Sequence, residues 1–305
     1  MKSFYQPTSE HLSRLTSDWS CSYSGGKDSS SLVTWIEWLR RAGWISVKRP
    51  SLVQSDTGVE DQMLQTISKD MMSLLRESGW ECTVVEPKIH EKLYNRILGI
   101  GNTPIHPGIT SMRWCTRSTK IDPMERWRET NAPSGQSYLT LTGLRLGEST
   151  MRDGKIKKRG CSAGGECGIP DPSDRTYSPL LNWSTCHVVD WLSGMVARAV
   201  RDAMGDVFAI TKRLVKIYGV KVDRNVFEFA EPEVTASRFG CIGCPAIQVE
   251  RHPPPIRHCA VRRRLADQRD IRRVVRSTHE AQSAVGCAMF QAVWPDQDGG
   301  AQGAV

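Results

Sequence analysis

Residues 22–30 read Ser-Tyr-Ser-Gly-Gly-Lys-Asp-Ser-Ser, with Ser24-Gly25-Gly26-Lys27-Asp28-Ser29 at the centre. The run follows a β-prone stretch, Trp19 to Tyr23, and opens a helical pattern with apolar residues at Leu32, Val33, Ile36 and Leu39. Paired glycines turn tightly and leave backbone N–H groups uncovered, so the run predicts amides and a helix N-terminus where a polyphosphate can sit. Lys27 adds a mobile positive charge, and the hydroxyls of Ser24 and Ser29 add donors. A Walker loop needs four residues between its first Gly and Gly-Lys-Ser/Thr, and that spacing is absent. A surface turn before a helix is the plain alternative. The strand–glycine–helix context favours nucleotide binding, with Tyr23 and Ser30 flanking the loop as further candidate contacts.

Outward from the loop the pattern alternates. The first helix is expected to run to about Arg41 and stop at Gly43. Ser51–Ser55 reads as a strand ending in Asp56-Thr57-Gly58. A helix follows with Met63, Leu64, Ile67, Met71, Leu74 and Leu75 on one face, ended by Gly79. Cys82 to Val85 is a third strand, residues 95–111 are loop-rich, and Thr116 to Glu129 reads as helix, with Pro123 marking a new first turn. Tyr138 to Thr142 is another strand. The alternation predicts an α/β fold, a doubly wound, mostly parallel sheet covered by helices on both sides. In such sheets ligands bind beyond the carboxyl ends of the strands, near the switch point. The Ser24 loop and the Asp56-Thr57-Gly58 turn both leave such ends, so the first is expected at the phosphates of a nucleotide and the second near its ribose or base.

Residues 151–176 read as a long exposed insertion in a nucleotide domain spanning residues 1–235. Structure is expected to resume at Tyr177-Ser178-Pro179-Leu180. Ser184 is placed to cap a helix containing Val188, Val189, Trp191 and Leu192, and an amphipathic helix is expected from Val207 to Tyr218. Residues 236–294 form a Cys- and Arg-rich helical region, and the polar, Gly-rich tail 295–305 is expected to be disordered.

The chain of 305 residues is 39% hydrophobic and 24% charged, ordinary for a soluble protein. It has no apolar stretch long enough to cross a bilayer and no apolar leader, so a cytoplasmic protein without membrane partners is expected. In a reducing compartment its ten cysteines read as metal ligands, reactive thiols or packing residues before disulfides. Cys241-Ile242-Gly243-Cys244 puts two thiolates on a tight turn, and Cys115, Cys241, Cys244 and Cys259 are the expected ligand set. A 4Fe–4S cluster, zinc and unmetallated thiols all stay open on spacing alone. Cys161 and Cys167 are a second redox pair, a sulfur relay or two exposed thiols, whereas Cys21, Cys82 and Cys186 read as packing residues. The net charge of +8 is concentrated in Arg251, Arg257, Arg262, Arg263, Arg264, Arg269, Arg272, Arg273 and Arg276, against only Asp267 and Asp270 in that interval. The cluster suits a phosphate backbone, with a solvated helix face as its alternative.

Four segments together resemble the phosphoadenosine phosphosulfate reductase superfamily of SGGxDS-loop ATP pyrophosphatases. They are Ser24–Ser29, Asp56-Thr57-Gly58, Gly143-Leu144-Arg145-Leu146-Gly147-Glu148-Ser149 and Tyr177-Ser178-Pro179-Leu180-Leu181-Asn182-Trp183. Within it, Arg113-Trp114-Cys115-Thr116 and Arg238-Phe239-Gly240-Cys241-Ile242-Gly243-Cys244 look most like the DNA phosphorothioation sulfurtransferases of the Dnd and Ssp systems, a restriction-modification defence. The resemblance covers roughly residues 18–260. It implies an iron–sulfur enzyme that uses ATP and Mg²⁺ to adenylate a DNA backbone phosphate. Pyrophosphate is released, and sulfur supplied by a cysteine desulfurase or other persulfide donor then displaces AMP, alongside other proteins of the system. Lys27 and Arg145 would offset phosphate charge, Asp28 would position Mg²⁺ or the loop, and Glu148 would join the nucleotide contacts. The reductases carry Glu-Cys-Gly-Leu/Ile-His near the C-terminus. Here the nearest match, Glu166-Cys167-Gly168-Ile169-Pro170, lies mid-chain with proline for histidine, and Cys287 lacks the context, which demotes sulfonucleotide reduction. The alternatives are tRNA thiolation, a phosphoadenosine phosphosulfate reductase-like enzyme and a non-enzymatic iron–sulfur nucleic-acid sensor.

Overall fold

The computed structural model describes residues 5–15, 18–47, 49–102, 114–131, 139–147, 153–154, 156, 176–218, 220–222 and 227–229. The Cys/Arg-rich region 236–294, the tail 295–305, and with them Cys241, Cys244, Cys259 and the arginines from Arg251 to Arg276, lie outside the described residues, as do Glu148, Cys161, Cys167 and Cys287.

Five strands, β1 (Trp19–Tyr23), β2 (Ser51–Ser55), β3 (Glu81–Val85), β4 (Leu139–Leu141) and β5 (Thr176–Tyr177), form one sheet in the order β3-β2-β1-β4-β5. Every pairing is parallel, with Cys21 opposite Leu52 on one side and Leu141 on the other. β2 lies between β1 and β3 and is buried along its whole length, as a strand covered on both faces must be. β3 is the edge, and its side chains are partly open to solvent.

The first two crossovers run through α2 (Lys27–Arg41) and α3 (Gln62–Glu77) and move outward in one direction. The chain then returns through α4 (Asp122–Asn131) to β4 on the far side of β1, and α4 packs against β2 and β3. Right-handed crossovers in opposite directions place their helices on opposite faces, which is the doubly wound arrangement expected from the sequence. The order reverses between β1 and β4, so the crevice at their carboxyl ends is the switch point.

The layer carrying α2 also holds α5 (Thr185–Leu192), α6 (Arg198–Ala203) and α7 (Gly205–Ile217), all in contact with α2. Ser184 caps α5 by accepting the His187 N–H at 3.2 Å, as its position before the apolar run implies. A cluster of aromatic rings fills the space between α2 and α5. Trp183 and Trp191 lie 5.9 Å apart edge to face, Trp38 lies 5.6 Å from Trp191, and Tyr5 reaches 5.1 Å from Trp183. Their polar atoms are also satisfied: Trp191 Nε1 donates to Thr34 Oγ1 at 2.8 Å and Trp35 Nε1 to the Tyr5 carbonyl at 2.8 Å. This cluster fixes the Trp183 backbone, which matters below.

Gly43 and Gly79 take positive φ after α2 and α3, the left-handed stop that ends both helices. Several expectations change. Asn95–Gly99, expected as loop, is a π-helical turn, and residues 114–131 run as one helical segment with a second π turn at Arg117–Ile121 ahead of α4. Pro123 lies inside that continuous segment, just past the π turn, and the Thr119 carbonyl four residues before it, which a proline cannot engage, accepts from Ser55 Oγ at 2.6 Å. The insertion is not wholly exposed. Ile156 is 2% exposed, and Asp153 Oδ1 accepts the Gly147 N–H at 3.0 Å, so its start is folded back onto the turn after β4. Helices α1 (Ser9–Arg14) and α6 and the antiparallel pair β6 (Val220–Val222) and β7 (Phe227–Phe229) carry too little apolar periodicity to be read in advance. Among the described residues no helix is long and apolar enough to cross a membrane.

Candidate functional site

The Ser24–Ser29 loop leaves β1 and enters α2 at the switch point. Gly25 has φ +71°, and a Cβ there would lie 3.3 Å from Ser68 Cβ, so the loop turns left-handed against α3. Gly26 is the N-cap of α2 and, being glycine, brings no capping side chain of its own to that end. The loop is held by its own serines: Ser29 Oγ accepts the Ser24 N–H at 3.3 Å, meets Ser24 Oγ at 3.0 Å and donates to the Gly26 carbonyl at 3.1 Å. The result is a rigid turn with the positive end of a four-turn helix dipole facing the crevice.

Tyr23 and Ser30 lie beneath this turn. Both are buried, the Tyr23 hydroxyl is 3.4 Å from Ser30 Oγ, and burial pushes its phenol above the ordinary range. Ser68 Oγ donates to Gln54 Oε1 at 2.7 Å in the same floor. These side chains support the loop from below.

Charge at the loop is organised around Asp28. Its Oδ2 accepts from Lys27 Nζ at 2.9 Å and its Oδ1 from Arg145 Nε at 2.7 Å. The two cations differ in exposure, Lys27 keeping 17% of its side chain open and Arg145 only 2%. Arg145 Nη1 also donates to the Trp183 carbonyl at 2.9 Å. The guanidinium is thus enclosed behind Asp28, on a backbone oxygen fixed by the aromatic cluster. Its placement suits positioning Asp28, whereas Lys27 is the cation at the mouth. With both carboxylate oxygens facing cations, Asp28 is better arranged to hold the loop than to bind Mg²⁺.

The segment after β4 reaches the loop by backbone. A Cβ on Gly143 would lie 2.7 Å from both the carbonyl carbon and oxygen of Asp28 and 2.9 Å from the Ser29 nitrogen, so only glycine fits. Tyr218, just past α7, reaches the same place from the helical layer, with its hydroxyl 3.4 Å from the Lys27 N–H and its ring centroid 5.6 Å from Lys27 Nζ. Sequence reading found Gly143 only within a motif and missed Tyr218, since nothing local marks a tyrosine 191 positions from the loop.

The Asp56-Thr57-Gly58 turn leaves β2 as expected. Asp56 Oδ1 accepts the Gly58 N–H at 2.8 Å and Gly58 has φ +73°, so the carboxylate shapes its own turn. Thr57 is 3% exposed. Beside it, burial raises the Glu60 carboxyl above its usual range, opposed by Lys120 at 3.2 Å.

Cys115 is tied through its backbone to the end of β2. Ser55 Oγ, at the end of β2, donates to the Thr119 carbonyl at 2.6 Å, and Thr119 Oγ1 donates to the Cys115 carbonyl at 2.7 Å. It is the one member of the expected ligand set among the described residues, and among these no group of three or more His, Cys, Asp or Glu side chains is arranged to hold a metal ion. The packing readings hold for Cys21, which is fully buried, and fail for Cys186, which is exposed because α5 turns Val188, Val189, Trp191 and Leu192 inward instead. Cys82 is half-buried, and burial pushes its thiol up to about 11.

A shallow pocket at the opposite end of α2, lined by Glu37, Arg40, Arg41 and Ser78, is structural. Glu37 is 1% exposed and accepts from Arg40, Arg41 and Trp80, so its charge is already matched.

The sequence matches no family model and no curated protein. Among solved structures, a phosphoadenylyl-sulfate (PAPS) reductase from Candida auris, in a phosphate complex, is similar at 13% identity and a TM-score of 0.38. The match covers 62% of this chain and 88% of that one.

Proposed function

We propose that this protein is an ATP pyrophosphatase that cuts ATP to AMP and pyrophosphate in the course of sulfur transfer. The observation that carries the reading is the N-terminus of α2 at the switch point of a parallel sheet, entered through a Gly25–Gly26 turn that supplies no capping side chain and fronted by Lys27. The amides of a helix N-terminus and its dipole favour a polyphosphate, and Lys27 offsets the charge that builds on the leaving pyrophosphate. Asp28, fixed by buried Arg145, keeps the loop and Lys27 in place. The Asp56-Thr57-Gly58 turn, on the neighbouring strand's carboxyl end, is where ribose or base would lie.

For the acceptor we propose a DNA backbone phosphate. A non-bridging oxygen attacks the α-phosphorus of ATP and pyrophosphate leaves. A sulfide sulfur then attacks the adenylated DNA phosphorus, and AMP carries the oxygen away. With a persulfide as donor its terminal sulfur attacks in the same way, and a second thiolate cleaves the resulting S–S bond, leaving the phosphorothioate and a disulfide. Support comes from the Arg113–Thr116 motif, of which Cys115 is linked by hydrogen bonds through Thr119 to Ser55 at the end of β2. Thiolates suit a 4Fe–4S cluster. With Cys115 alone of its four proposed ligands among the described residues, no step is assigned to a cluster. Cytoplasmic location, Mg²⁺ and a persulfide donor belong to the same proposal.

The test is product analysis under anaerobic conditions with ATP, Mg²⁺, a sulfur donor and either DNA or tRNA. AMP and pyrophosphate stimulated by DNA are expected. ADP as the main product rejects the pyrophosphatase reading, and stimulation by tRNA alone reassigns the acceptor.

A further inference from the structure

Tyr218 ends the helical layer against the loop, and nothing proposed above uses its hydroxyl. The residue is 7% exposed, and the hydroxyl lies 3.4 Å from the Lys27 backbone nitrogen and 3.6 Å from where a Cβ on Gly26 would stand. It therefore sits over the N-cap and first residue of α2, on the line along which an anion would approach. At 3.4 Å the Lys27 N–H contact is at the long edge of hydrogen bonding, and a phenol oxygen is a weaker acceptor than a phosphate oxygen. The ring, 5.6 Å from Lys27 Nζ, meanwhile steadies the ammonium beside Asp28.

We infer that Tyr218 is a phosphate-contact residue of this site. A phosphate oxygen takes over the Lys27 N–H, and the Tyr218 hydroxyl, no longer accepting from that amide, turns to donate to the same phosphate. A phenol can do both, since it carries a donor and an acceptor on one atom. The exchange keeps the Lys27 N–H bonded with and without ligand, first to the tyrosine oxygen and then to the phosphate. The inference rests on the nucleotide reading above and specifies which part of the ligand Tyr218 reads: the phosphate chain and not the nucleoside.

Titration calorimetry of the full chain with ATP, inorganic pyrophosphate and adenosine, on the unaltered protein and on Tyr218→Phe, tests it. Phenylalanine keeps the ring over Lys27 and removes only the hydroxyl. ATP and pyrophosphate are expected to bind about tenfold more weakly to the variant, as for loss of one hydrogen bond to a charged group, with adenosine affinity and the unfolding midpoint unchanged. Equal ATP affinity in the two proteins overturns the inference, and so does a matching loss for adenosine, which would make Tyr218 a packing residue. If the unaltered protein binds neither ATP nor pyrophosphate, the nucleotide reading itself falls.

Discussion

Arg145 Nε donates to Asp28 Oδ1 at 2.7 Å, joining the segment after β4 to the first turn of α2 across 117 positions of sequence. Asp28 is consequently more than a surface-loop residue. Replacing it with alanine strands a guanidinium that is 2% exposed, so Asp28→Ala is expected to lower stability by roughly 1–3 kcal/mol as well as turnover. Lys27→Ala leaves Asp28 with Arg145 and is the cleaner probe. Turnover should drop about 10²–10³-fold with little change in the unfolding midpoint. Parallel losses of activity and midpoint in Lys27→Ala would remove its direct role.

Gly143 makes a second prediction. A methyl group there meets Asp28 backbone at 2.7 Å, and neither partner is a side-chain tip that can swing away. Gly143→Ala should therefore cost about 1–3 kcal/mol and weaken nucleotide binding by displacing the loop. Gly58→Ala, in open space but at φ +73°, should cost about 1–2 kcal/mol without moving the Lys27 loop. Chemical denaturation with ATP titration compares the two, and intact ATP binding in Gly143→Ala would contradict the close approach.

Acid should release a different clamp. Arg41 Nη1 and Nη2 reach the two oxygens of Asp206 at 2.8 and 2.9 Å, and this pairing holds the Asp206 carboxyl below the usual carboxylate range. Because the folded value lies below the unfolded one, the stabilisation is full above the unfolded carboxylate pKa and is lost as pH falls through the folded value. The Asp206 side chain is 48% exposed, so the contribution is at most about 1 kcal/mol. Unfolding curves of Asp206→Asn and the unaltered protein should differ at neutral pH and converge at strongly acidic pH. A gap independent of pH would mean that Asp206 acts by packing alone.

For the cysteines, protein purified without oxygen is expected to be brown with about four irons per chain. Cys115→Ser, Cys241→Ser, Cys244→Ser and Cys259→Ser should each lower the iron content. Bound zinc without iron would reject the cluster, and unchanged iron in Cys259→Ser alone would move the fourth ligand elsewhere.

The arginine run gives a last prediction. Reversing Arg262, Arg263 and Arg264 to glutamate should weaken DNA binding and flatten its salt dependence while ATP binding persists. Unchanged DNA affinity across a salt titration would leave those arginines as a hydrated surface.

How much of this was legible depended on how local the signal is. β1, α2, β2, α3 and the Ser184 cap were readable because each is written in a short periodic run or a single capping residue. The π turns at Asn95–Gly99 and Arg117–Ile121 were not, since one extra residue per turn leaves no mark in the apolar spacing. Within the site, the sequence named Lys27, Asp28 and Arg145 but not their arrangement. Arg145 was expected on the phosphates, and only the fold shows it enclosed behind Asp28 and bound to the Trp183 carbonyl. Tyr218 was read as the end of an amphipathic helix, and its meeting with Lys27 depends on how α7 packs over α2 and α3.

The parts that surround the loop also arrive late in synthesis. Ser24–Ser29 emerges from the ribosome before the groups that close around it, Gly143, Arg145, the Trp183 carbonyl and Tyr218, which follow one after another over the next 190 or so positions. A nascent chain halted before β4 therefore exposes a glycine turn with neither its backbone neighbour nor the guanidinium that fixes Asp28. On the nucleotide reading proposed above, capture would follow pairing of β4 with β1, and a growing chain should gain protection by ATP abruptly, once Tyr218 has cleared the exit tunnel.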